Sequence, residues 1–271
     1  MSDAMPAPAR ARATNARAVL VEACIDSVSS ALAAERGGAR RLELCAALSD
    51  GGTTPSAGML TAVVAQSALP VVAIIRPRGG DFTYSRAEVD VMRRDIDAAR
   101  RLGAHGVALG ALRADGVLDE MVLRLLVSDA EGLQVSVHRA FDRTPDLIAS
   151  LEALIALGVG RVLTSGGAAT ALEGSEQLAA LVEAGHGRID VMAGGGVRAA
   201  HVAELVRRSG VPELHVRGTR LVGVGASGGR PLRLRKALPE DEGVWEETDD
   251  ERVREIVELA QRALTPESPS A

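Results

Sequence analysis

At 271 residues the chain has room for two modest domains or for one large α/β barrel. It is 46% hydrophobic yet holds one Trp, one Tyr and two Phe, so its core is built from Ala, Val, Leu and Ile, and stacking on nucleobases is poorly supplied. A net charge of −5 offers no attraction to phosphate backbones or anionic membrane surfaces, which sets aside nucleic acid and membrane as partners.

The chain opens with MSDAMPAPARARATNAR, whose Ala, Pro and Arg content predicts a disordered arm over residues 1–16. The arm lacks the apolar centre of a secretory signal, and no later run reaches the roughly 18 apolar residues of a membrane span. A cytoplasmic protein is expected.

Short β-like runs then alternate with helical stretches. The strands are AVLVEAC (18–24), RLELC (41–45), VVAIIR (71–76), GVALG (106–110), LQVSVH (133–138), RVLTS (161–165), IDVMAG (189–194) and ELHV (213–216). Between them, SRAEVDVMRRDIDAARRLG and PDLIASLEALIALG carry apolar positions at helical spacing and a Gly after the last turn. Strand–helix alternation implies a parallel sheet, and eight strands are what a closed barrel needs. The C-terminal strand ends gather polar groups, whereas the starts show nothing comparable. That asymmetry fits a barrel, where all eight C-termini ring one mouth. The expected fold is a single (β/α)8 TIM barrel over residues 17–265. After it, PEDEGVWEETDDERVREIVELAQRAL predicts a last helix with Val253, Ile256, Val257, Leu259 and Leu264 on one face, covering the barrel bottom. Trp245 would suit a homo-oligomer contact, and residues 266–271 read as a frayed tail.

At the mouth, IIRPRGGDF sets Arg76 and Arg78 on the end of strand three, two guanidinium forks suited to a carboxylate or phosphate. The segment AGGGVRAAHVAEL places Gly194, Gly195 and Gly196 directly before a helix, exposing backbone N–H groups beside Arg198. With Thr164 and Ser165 at the end of strand six, these form the expected anion-binding set. The bland readings are a plain turn for the glycines and carboxylate-paired structural arginines. Acid–base carriers are Glu22, Glu43, His138, Asp142 and His215; His138 leads because it titrates near neutral pH and Asp142 lies on its loop. A divalent cation is not assigned from these residues, which come from separate strands. The single lysine, Lys236, lies beyond the eighth strand, which argues against a Schiff-base aldolase, and no GxSxG, P-loop or HExxH occurs.

Two cysteines, Cys24 and Cys45, are too few for a disulfide framework. Strand parity puts Glu22 and Cys24 on one face of strand one, and Glu43 and Cys45 on the same face of the next. Taken alone, each is most simply a small buried hydrophobe.

The blocks VEACIDS, RLELCAALSDGGTTPSAG, IIRPRGGDFTYS, VHRAFD, RVLTSG and MAGGGVR, spread from Val19 to His215, resemble the CutC family, described as copper homeostasis proteins. The resemblance implies a TIM barrel and Cu(I) held by Cys24 and Cys45, consistent with thiolates as soft ligands. The alternative is a barrel enzyme performing proton transfer, as an isomerase or lyase without a Schiff base, on a small phosphorylated or carboxylated anion. After His215 the chain departs from the family pattern, reading VRGTRLVGVGASGGRPLRLRK, with Arg217 and Arg220 beside the expected phosphate position.

Overall fold

A computed structural model describes residues 18–223 and 244–264. The expected N-terminal arm, Lys236 and the frayed tail lie outside the described residues. In chain order the elements are β1 (Leu20–Ile25), α1 (Val28–Arg36), β2 (Arg41–Leu44), α2 (Ala57–Gln66), β3 (Val71–Ile74), α3 (Arg86–Arg101), β4 (Gly106–Leu109) and α4 (Glu120–Asp129). They continue with β5 (Gln134–Val137), α5 (Leu147–Ala156), β6 (Arg161–Thr164), α6 (Ser175–Gly185), β7 (Asp190–Ala193), α7 (Ala199–Ser209), β8 (Glu213–Val216), β9 (Thr219–Gly223), β10 (Val244–Thr248) and α8 (Asp250–Arg262). Strands β1 to β8 pair in order and β8 returns to β1, closing a parallel barrel. All eight expected strands are present, and the fold is the (β/α)8 barrel.

The helices form where the sequence supplies both a stop and a stripe. Ser85 caps α3 in a reciprocal box with Glu88, and Val89, Met92, Ile96 and Ala99 bury one face of that helix against the sheet. Residues pointing outward from the strands join these helices in the main apolar core. Inside the barrel a smaller apolar group forms from Cys24, Cys45, Val72, Ile74 and Ala108.

Below that group the barrel is filled with charge, which corrects the expectation that strand starts carry nothing notable. Arg41 and Arg161, the first residues of β2 and β6, are 4% and 8% exposed, and both bind Glu213, the first residue of β8. Arg41 also pairs with Glu22 and lies 3.3 Å from the Met192 sulfur, while Arg161 donates to Ser136. Two guanidiniums tolerate this interior because each has carboxylate partners.

The C-terminal segment also differs from expectation. Helix α8 does not cover the barrel bottom; it packs between α7 and α1 and completes the outer ring of helices. An antiparallel hairpin, β9 with β10, precedes it and lies against α1, where Thr248 N–H donates to Ser30 Oγ and Ser29 Oγ donates to Glu247. The close fit depends on two glycines: a Cβ on Gly37 or Gly218 would lie 2.6 or 2.7 Å from Val253, and Gly218 has φ +56. Trp245, on β10, is 46% exposed.

Replacing Glu213 by Ala strips carboxylate partners from two buried guanidiniums at once. We expect a loss of about 3–5 kcal/mol in urea unfolding, the range for breaking a buried ion pair. A change below about 1 kcal/mol would show that the network contributes little.

Candidate functional site

The floor of the mouth is built by three neighbouring strands. Register places Glu22 on β1 beside both Arg41 on β2 and His215 on β8, so side chains from three strands meet in the interior. His215 Nδ1 lies 2.9 Å from Glu22 Oε1 and its Nε2 lies 3.7 Å from Glu43 Oε2. One step up, the Cys45 thiol donates to Glu43 Oε2 at 3.5 Å, and the two sulfurs of Cys24 and Cys45 stand 3.8 Å apart. Both cysteines are free and buried. The predicted parity therefore holds, and it gathers Glu22, Cys24, Glu43, Cys45 and His215 in one cluster.

The charges in this cluster hold one another. Burial opposes ionisation of Glu22, but the hydrogen bond to His215 and the charge of Arg41 outweigh it and hold the carboxyl at about 2. Burial would likewise lower His215, yet Glu43, Cys24 and Glu22 lift it well above its ordinary value. Burial pushes Glu43 up to about 8, against the pull of His215 and helped by Cys24 and Glu22. The hydrogen bond from Cys45 holds Cys24 well below the ordinary thiol value in spite of burial. The same bond, with burial, pushes Cys45 well above it.

His138 forms the opposite wall. It is 5% exposed, its ring tilts against Phe82 with centroids 5.1 Å apart, and its Nδ1 accepts the Ala140 N–H at 3.3 Å. That bond assigns the proton to Nε2, which is buried without a partner among the described residues. Burial and the nearby Arg76 push the imidazole down to about 4.

The other expected residues fall into different surroundings. Arg76 lines the mouth, but its Nη atoms donate to the Asp50, Gly52 and Gly80 carbonyls, fastening the loops after β2 and β3; its Nε is buried with no hydrogen-bond partner among the described residues. Arg78 is spent on Glu88, Asp81 and the Thr83 carbonyl and does not reach the cavity. Asp142 accepts from the Thr164 and Ser165 hydroxyls, from the Ser165 and Gly167 N–H groups and from Arg139, so its oxygens tie the end of β6 to the β5 loop. Gly195, Gly196 and Arg198 open onto the mouth at the start of α7. Gly194 packs beneath them, where a Cβ would meet Leu163 at 2.4 Å.

These walls enclose a cavity of about 850 Å³, reaching from the two sulfurs to the β8–β9 connection and the side of α8. Sequence reading missed Arg139 and Arg252 at its rim, and Arg41, Arg161 and Glu213 beneath it. The buried three share inward parity with Glu43 and His215, a signal present in RLELC, RVLTS and ELHV. Arg252 reaches the mouth only because α8 completes the ring, which local pattern does not show.

The His138 ring gives a pH dependence with a definite sign. Its folded value of about 4 lies below the ordinary 6.5, so between them the unfolded chain takes up a proton that the folded ring refuses. Stability is therefore present above pH 6.5 and falls as pH falls toward 4, by on the order of 3 kcal/mol. Urea unfolding of His138→Gln should lose that much less of its stability over the same range than the parent. A His138 Cε1–H resonance titrating near 6.5 would contradict it.

Comparison with known proteins agrees with this architecture. The CutC family model matches residues 19–220. A CutC family protein of Caulobacter vibrioides is 52% identical over 201 residues, covering 74% of this chain and 82% of the relative. The human copper homeostasis protein cutC homolog is 47% identical over 211 residues, 77% of each chain. The crystal structure of the copper homeostasis protein CutC from Streptococcus agalactiae superposes with a TM-score of 0.70 at 33% identity, over 73% of this chain and 97% of that one. The matched segment runs through every strand of the barrel, and the chain belongs to the CutC family.

Proposed function

We propose that the protein binds Cu(I) between Cys24 and Cys45 at the floor of the barrel mouth, in a cytoplasmic role in copper homeostasis. The observation that carries this reading is the pair of buried sulfurs 3.8 Å apart. With metal–thiolate bonds of about 2.3 Å, one ion reaches both sulfurs at that separation. Glu43 completes a group of three whose ligand atoms all lie within 4.8 Å of one another. Two thiolates in an apolar pocket of Val72, Ile74 and Ala108 are soft donors in dry surroundings, which suits Cu(I) better than a hard cation. A reducing compartment keeps both thiols available. Among the described residues no helix is long and apolar enough to cross a membrane. The human relative is named a copper homeostasis protein, which points the same way.

Each residue has a distinct part in this reading. Cys24 and Cys45 hold the ion, Glu43 stands beside Cys45 as an oxygen donor and proton acceptor, and Glu22 orients His215 beneath them. The open cavity above the sulfurs lets a carrier or chelator approach.

Anaerobic competition against a coloured Cu(I) chelator tests the assignment. The parent protein is expected to withdraw a single Cu(I) per chain, and a Cys24→Ser, Cys45→Ser double variant with unchanged circular dichroism to withdraw none. Equal competition by parent and variant would refute the thiol site.

A further inference from the structure

A metal ion would use only the floor of the mouth, whereas the whole cavity of about 850 Å³ has the volume of a pocket for an organic molecule. Five arginines (Arg76, Arg139, Arg198, Arg217 and Arg252) line it against three glutamates, in a chain whose net charge is −5. Positive charge is therefore concentrated where the chain as a whole is acidic. Three of these lining residues, His138 and the two arginines Arg76 and Arg217, each keep a buried nitrogen without a hydrogen-bond partner among the described residues. All three nitrogens are donors, since the His138 proton sits on Nε2. Buried donors left unmatched cost stability, and what matches them is a ligand rich in acceptor oxygens.

The same cavity has a place for the charged end of such a ligand. At the start of α7, Gly195 and Gly196 take φ +105 and +71, and Arg198 caps the helix without a side-chain hydrogen bond. Among the described residues the Ala199 and Ala200 N–H groups, at the positive end of the helix, have no hydrogen-bond acceptor. Arg139 lies against it: a Cβ on Gly195 would be 3.1 Å from Arg139 Nη1. Its Nε and Nη2 are fixed by Asp142 and Ser165, so Nη1 is held at the turn with no hydrogen bond among the described residues. The Arg198 guanidinium is exposed and has no ion pair or hydrogen bond among the described residues. Arg217, by contrast, is already paired with Glu246 at 2.8 Å, and Arg252 donates to the Thr219 carbonyl.

We propose that the mouth binds a small organic phosphate, with its phosphate on the Gly195–Gly196 turn between Arg139 and Arg198, and an acceptor oxygen of its carbon skeleton on His138 Nε2–H. The molecule then lies above the two cysteines. This site goes beyond the copper reading and does not depend on it.

Calorimetry and thermal melting with inorganic phosphate and with glycerol 3-phosphate, each against chloride at matched ionic strength, test the proposal. Both probes are expected to bind and raise the melting temperature, glycerol 3-phosphate the more. Arg198→Ala removes an exposed side chain without structural partners, so it folds, and it should weaken both probes at least about tenfold. His138→Phe should weaken glycerol 3-phosphate while leaving inorganic phosphate unchanged. The Cys24→Ser, Cys45→Ser variant should keep both affinities, which separates this site from the copper site. No shift beyond that of chloride, or equal affinities in the parent and Arg198→Ala, would overturn the phosphate site. Unchanged glycerol 3-phosphate binding in His138→Phe would overturn the part given to His138.

Discussion

The interior of this barrel is organised by a chain of buried charges that begins at Arg161 and passes through Glu213, Arg41 and Glu22 to His215. Charges taken out of water are tolerated only when each has close partners, so no member can turn away without stranding its neighbour. Arg41 is the shared link, bound to a carboxylate from β1 and to one from β8. The network thus pins together the first and last strands, the seam where the barrel closes. It also fixes His215, the histidine beside the two cysteines.

From that fixed base the mouth divides into two chemically different regions. The lower region is soft: two sulfurs against Val72, Ile74 and Ala108, with one carboxylate in reach. The upper region is hard and donor-rich, with arginines at the rim, a glycine turn at a helix start and a neutral imidazole in the wall. A soft monovalent ion and a phosphate oxygen have opposite preferences, so neither region competes for the other's ligand. On the two proposals made above, copper and a phosphate would occupy different floors of one cavity.

Much of this was legible in the sequence because a barrel repeats a local pattern. Eight apolar runs separated by amphipathic stretches fix the strands within a residue or two, and alternation put Glu22, Cys24, Glu43 and Cys45 on the same face of two neighbouring strands. What failed was long-range or depended on competition for partners. Strands β9 and β10 are short, far apart in sequence and joined to the barrel by distant contacts, and the position of α8 is set by Val253 fitting against Gly37 and Gly218. Arg78 and Asp142 have the right chemistry for a site, but local carboxylates, hydroxyls and N–H groups engage them first. Arg76 is intermediate, a loop clamp through its Nη atoms and a free donor at Nε. Composition showed an acidic chain; only the fold shows that five arginines meet at one mouth.

The most direct test of the central claim, that the sulfurs at the barrel floor hold copper, is copper K-edge X-ray absorption on protein loaded with Cu(I) under reducing conditions. The proposed site predicts a Cu(I) edge with a first shell dominated by sulfur from two thiolates. A first shell of nitrogen and oxygen alone would place the metal elsewhere and contradict the account.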